Sequence, residues 1–172
     1  MYPHGDMRTA LLIAALLLLV FGCRPEDAGE PSPRELEVHQ TASGQTFRGR
    51  EEPLAVVAPS REELEEALGN TVPKEVTEPG GSPGEREATH LAVFWGEKPS
   101  GGYSLSVASA RLEGERLVVR LRLRRPGPGE IVTQALTYPY AVAVISGVGP
   151  EGREVVLTDQ EGRRLGWPVR RA

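Results

Sequence analysis

The stretch Arg116–Arg125, RLVVRLRLRR, alternates apolar and basic side chains almost without interruption. Such a period of two places Leu117, Val119, Leu121 and Leu123 on one side of an extended chain. Arg116, Val118, Arg120, Arg122 and Arg124 then fall on the other. A strand of this kind needs a sheet with one covered face and one wet face, so the chain must supply a second apolar layer. The preceding run YSLSVASARL alternates as well, sending Tyr103, Leu105 and Val107 to one face. Glu113–Arg116 (EGER) reads as the turn joining the two strands. LAVFW is a candidate buried strand, and IVTQALTYPYAVAVIS supplies another strand or a bent pair. REVVLTDQEGRRLGW looks like a closing hairpin around Asp159–Gly162. With 20 glycines and 15 prolines in 172 residues, the composition suits short strands and turns better than helices.

PLAVVAPSREELEEALGN reads as a strand followed by a helix. Ser60 and Glu63 have capping-box spacing, Leu64 and Leu68 share a face, and Gly69 is a natural stop. Glu62, Glu63, Glu65 and Glu66 read as a solvated helical face rather than paired catalytic acids. The expected fold is therefore mostly β. It is a small antiparallel β-sandwich or partly open barrel with one short α-helix, spanning residues 45–172. A Pro/Gly-rich loop or disordered insert is expected at about 72–88.

The N-terminus carries a different message. Arg8 precedes an apolar run, Ala10–Gly22, which is shorter than the ~20 residues a spanning helix needs. A basic start, an apolar middle and a small residue before the cut make residues 1–22 a signal peptide. Cys23, the sole cysteine, follows in LVFGC, which resembles a bacterial lipobox. The expectation is a lipid on Cys23 that anchors the chain to a membrane, outside the cytoplasmic face. With that thiol acylated, none remains for a disulfide or a nucleophile. Polar, Pro-rich residues 23–44 read as a flexible tether.

Net charge is −4, which gives no reason to expect nucleic acid as a partner. In WGEKPSGGYSL, Lys98 precedes the glycines and alternating β sequence follows them, so the stretch does not meet the needs of a phosphate loop. Gly101 and Gly102 read instead as a sharp turn, with a binding rim as the further option. His39, in the tether, and His90, at a strand start, find no G-x-S-x-G nucleophile and no metal-ligand spacing. No cofactor is implied. The candidate binding residues are Arg116, Arg120, Arg122 and Arg124, with Arg125 beside them, facing carboxylates, phosphates or anionic wall polymers. The alternative is a solvated face paired with local Glu. Tyr103, Tyr138 and Tyr140 are further candidates. Tyr138-Pro139-Tyr140 with Trp167 makes either a sugar-stacking platform or the seal of a small core. The isomer at Tyr138-Pro139 is open from sequence.

Two motifs carry a family resemblance. One is the G-x-x-P-S-G-G-Y turn on Gly96, Pro99, Ser100, Gly101, Gly102 and Tyr103. The other runs from Pro126–Gly129 through Gln134, Ala135 and Thr137 to Tyr138–Tyr140. Together they resemble the C-terminal domain of the PrcB family, over roughly Leu91–Ile145. That family is named for a lipoprotein subunit of a bacterial surface protease complex. The resemblance implies a non-catalytic partner subunit supporting assembly or stability of a secreted protease, and no catalytic residues. A polysaccharide or anionic-polymer binding module of the envelope is the first rival. A hydrolase with an unrecognised carboxylate site is the second.

Overall fold

The computed structural model describes residues 32–47, 50–69 and 87–172. Nine strands and one helix follow in chain order: β1 (Arg34–Leu36), β2 (Val38–Gly44), β3 (Leu54–Ala58), α1 (Arg61–Leu68), β4 (Ala88–Phe94), β5 (Ser104–Glu113), β6 (Arg116–Arg124), β7 (Tyr140–Ser146), β8 (Glu154–Thr158) and β9 (Val169–Arg171). They form two sheets, of order β1-β5-β6-β8 and β2-β7-β4-β3-β9. Most pairings are antiparallel, but β6·β8 and β3·β9 are parallel, so both sheets are mixed. The sandwich expectation holds, and the sheets do not close into a barrel.

The two sheets are covered differently, and their sequences follow. Between them lies the main core, where Leu117, Val119 and Leu121 of β6 meet Leu91 and Val93 of β4 and Ala143 and Ile145 of β7. The far face of the five-stranded sheet is covered too. Leu64 and Leu68 of α1, with Phe47, pack there on Val56, Ala92, Phe94, Tyr140 and Val142. Strands buried on both faces need apolar side chains at every position, hence LAVVA, LAVF and YAVAVI. The four-stranded sheet has an open outer face, hence the alternation of β6. Val118 faces outward as expected, yet it is only 5% exposed beside Val156 of β8, its register partner. In β5 the alternation slips at a bulge between Val107 and Ser109, after which Ala110 points inward.

Helix α1 forms as its capping residues require. Ser60 Oγ accepts from the Glu63 amide at 3.2 Å, and Gly69 ends the helix in the left-handed region at φ 72°. Arg61 pairs with Glu65 at 2.7 Å on the solvent side.

The tether expectation is corrected over part of its length. Residues 34–44 are not flexible: β1 pairs with β5 and β2 pairs with β7. Leu36 and Val38 both pack against the main core, and the chain passes from one sheet to the other at Glu37. His39 accordingly lies within β2, 2.9 Å from Glu37. The insert expected at about 72–88 falls mostly outside the described residues, but Ala88 belongs to β4. IVTQALTYPYAVAVIS yields one strand, β7, after a long loop. The closing hairpin is partial. The turn at Asp159–Gly162 returns the chain so that Leu165 N–H donates to Leu157 O at 2.8 Å. The chain then leaves to pair as β9 with β3.

That turn rests on Asp159, 6% exposed. Its carboxylate accepts from the amides of Glu161 and Arg163 at 3.0 and 2.8 Å, and from Arg163 Nε at 2.8 Å. Burial alone would push this carboxyl up, but the Arg163 amide and guanidinium and the Glu161 amide outweigh it and hold it below its ordinary 3.8. A carboxyl depressed in the folded state stabilises above its unfolded value, and that stabilisation fades as pH falls through the folded one. Asp159→Asn should therefore lower stability most at pH 6–7, with the gap to the parent chain closing below about pH 4. Urea unfolding across that range measures it, and a gap independent of pH would contradict the assignment.

Candidate functional site: the crossover end

Strands β4 and β7 pair in one sheet, and β5 and β6 pair in the other. Between β4 and β7 the chain must therefore cross between sheets twice, from β4 to β5 and from β6 back to β7. Phe94 is level with Tyr140, and Ser104 with Arg124, so both crossings lie at the same end of the sandwich. The first crossing is residues 95–103 and the second is residues 125–139. These are the two motifs singled out in the sequence.

They are laced together. Lys98 and Thr137 exchange backbone hydrogen bonds at 2.8 and 3.0 Å, and Gly101 N–H donates to Thr133 O at 2.9 Å. Thr137 Oγ1 donates to Ser100 O at 2.8 Å, and Trp95 N–H donates to Pro139 O at 2.9 Å. Tyr138 donates its hydroxyl proton to Glu97 Oε2 at 2.8 Å. Arg124 donates to Gly102 O at 2.5 Å and to Glu130 at 2.6 Å, while Glu130 also accepts from the Gly127 amide at 2.9 Å. The Arg124 and Gly127 donors hold the Glu130 carboxyl below its ordinary value. Gly102 has the positive φ, 81°, expected of the turn. Gly101 serves a different need. A Cβ there would stand 2.4 Å from Thr133 Oγ1, so its missing side chain lets the second crossing lie against the first.

Trp95, 5% exposed, floors this end. Tyr103 meets it edge-on at 5.7 Å, with Lys98 Nζ at 5.1 Å and the Arg125 guanidinium at 5.9 Å from its ring centre. Lys98 Nζ donates to Trp95 O and Glu97 O at 2.6 and 2.9 Å. Burial first, and Arg125 second, push the Lys98 ammonium below its ordinary 10.5. Above this floor the loop 131–136 is exposed. It carries Ile131, 99% exposed, and Leu136, 58%, the two exposed large hydrophobic side chains among the described residues. A loop pinned at Thr133 and Thr137 that nonetheless presents aliphatic side chains to water has the makings of a contact surface.

The remaining candidates separate. The tyrosines do not assemble into one platform. Tyr103 lies on Trp95, Tyr138 is tied to Glu97, and Tyr140 is 8% exposed, packed 5.4 Å from Phe47 beneath the other face of its sheet. Trp167 is partly buried against the main core. No cis peptide occurs among the described residues, so Tyr138-Pro139 is trans. Arg116, Arg120, Arg122 and Arg124 do share the outer face of the four-stranded sheet, as periodicity predicts. His39 and His90 lie in register with the same residue, Val144, two strands apart. Among the described residues no group of three or more His, Cys, Asp or Glu could hold a metal, and no helix is long and apolar enough to cross a membrane. Cys23 is outside the described residues. The exposed loop 131–136 escaped the sequence reading. Its signal was present in IVTQAL, an apolar run lacking the strict alternation of β6.

The lacing predicts a specific rescue. Gly101→Ala should destabilise the domain by about 1–3 kcal/mol, as overpacking does. Adding Thr133→Ala, which removes the clashing oxygen, should restore most of the loss. Thermal unfolding of the single and double variants checks it, and strict additivity would refute the contact.

A family model described as PrcB C-terminal matches residues 89–146. The matched segment runs from β4 to the end of β7 and contains both crossings. No curated protein and no solved structure shows a significant match to the chain.

Proposed function

We propose, from the match of residues 89–146 to the PrcB C-terminal family model, that the chain is a non-catalytic accessory subunit of an extracytoplasmic protease complex, binding its partner through the crossover end. The observation that carries the reading is the concentration of family motifs and exposed aliphatic side chains at that one end. The polar groups there are engaged with one another: Lys98 on carbonyls, Tyr138 on Glu97, Arg124 on Glu130. What the end offers a partner is shape and apolar surface. Ile131 and Leu136 supply the anchor, and the lacing holds them in place before contact, which limits the ordering cost of association.

The signal-like start and Cys23 support attachment to a membrane by lipid. Since β1 begins at Arg34, ten residues lie between Cys23 and the first strand. A fully extended chain of that length reaches at most ~35 Å. The domain then works close to the membrane surface, and its partner must come there.

Two outcomes are expected. Full burial of an aliphatic side chain is worth ~1.5–3 kcal/mol, about tenfold or more in affinity. The double variant Ile131→Asp/Leu136→Asp should therefore stay folded yet lose at least about tenfold of protease co-elution from detergent-solubilised membranes. Undiminished co-elution would refute the assigned surface. Cys23→Ser should move the chain from the membrane fraction to the soluble one, and a variant that stays with the membrane would rule out the lipid anchor.

A further inference from the structure

The outer face of the four-stranded sheet holds a second surface, remote in character from the apolar loop. Register sets three serines of β5 directly opposite three arginines of β6: Ser104 with Arg124, Ser106 with Arg122, and Ser109 with Arg120. Their inward neighbours Leu105, Val107, Leu121 and Leu123 belong to the main core, so these six side chains share the solvent side. Arg124 is committed to Glu130 and Gly102. Among the described residues, Arg120 and Arg122 form no ion pair. Arg120 Nε is buried with no hydrogen-bond acceptor. No acceptor among the described residues holds that guanidinium, and because Nε is itself shielded, an outside acceptor would meet it at the Nη groups. Beside it, Val118 and Val156, 5% and 8% exposed, form an apolar floor that strengthens any ion pair made above it.

The shape of the charge selects the ligand. Arg120 and Arg122 are alternate residues of one strand, about 6.6 Å apart along it. Carboxylates on alternate residues of an extended peptide have the same spacing. The basic strip is also short. Carboxylates of Glu113, Glu115 and Glu154 bound it at the hairpin end, and Glu130 bounds it at the crossover end. A long polyanion laid along the strand would run onto these carboxylates, whereas a segment of four or five residues would not.

We propose that this Ser/Arg ladder binds a short acidic segment of a partner protein, in extended conformation, with two carboxylates on alternate residues meeting Arg120 and Arg122. Ser106 and Ser109 hydroxyls are placed to donate to the same oxygens. The inference deepens the accessory-subunit reading, on which it rests, since it gives the partner a charged segment besides the surface that meets Ile131.

The test uses the full-length chain and a labelled Thr-Glu-Thr-Glu-Thr peptide, followed by fluorescence anisotropy. Binding should weaken as salt rises. It should fall about tenfold or more with Arg122→Glu, with Arg122→Gln, and with the Thr-Gln-Thr-Gln-Thr peptide. Arg170→Glu, an exposed charge on β9, should leave it unchanged. No binding of the acidic peptide, or equal binding by the Arg122 variants, overturns the proposal. So does tighter capture of inorganic polyphosphate than of the peptide through the same arginines. None of these results depends on the protease, so failure here leaves the accessory-subunit reading to its own test.

Discussion

The three central strands of the five-stranded sheet, β3, β4 and β7, are dry on both faces, and the rest of the molecule is arranged around that condition. One face is covered by the four-stranded sheet and the other by α1 and Phe47. Backbone polar groups in such a layer are satisfied only by neighbouring strands, so the pairing of β3, β4 and β7 admits little variation. With Val, Leu, Ala and Ile filling both of its faces, the sheet has little room for polar chemistry. Groups able to meet another molecule are displaced to the crossover end and to the outer face of the second sheet. A molecule organised in this way is suited to binding by surface.

The crossovers are more than connections. The first carries the chain from the doubly covered sheet to the half-covered one, the second brings it back, and hydrogen bonds between them convert two loops into one rigid end. Hydrogen bonds at Thr133 and Thr137 fix the backbone of the loop that presents Ile131 to water. That lacing also explains why a small chemical detail, the missing Cβ of Gly101, has structural weight. The family match spans this unit, from β4 through both crossings to β7, and leaves β1, β2, β3, α1, β8 and β9 outside it. The core hairpin and its crossings are the matched part, and the flanking strands complete the sheets around them.

Much of this was legible in the sequence because local pattern and tertiary burial agree. The alternation from Arg116 to Arg124 named a strand with one wet face, and the same period placed the arginines together. Ser60, Glu63 and Gly69 marked both ends of α1. What escaped detection depends on distant partners. β1 and β2 pack only Leu36, Val38 and Ala42 against the cores, too few for periodicity to stand out in a Pro-rich neighbourhood, yet enough to close one side of the sandwich. β9 and both parallel pairings come from strands far apart in the chain, and the bulge at Ser109 from its fit to β6. The tyrosines looked alike in sequence, but three different environments received them. That the two motifs meet could not be read from either alone, because the contact follows from strand order.

The loop at residues 131–136 is the surface proposed to touch a partner protease. Site-specific photocrosslinking in living cells tests it most directly, with the photoreactive residue placed at Ile131 or at Arg170. The account predicts that Ile131 yields a crosslinked product containing a protease, identified by mass spectrometry, and that Arg170 does not. A protease joined equally through both positions, or through Arg170 alone, would contradict it.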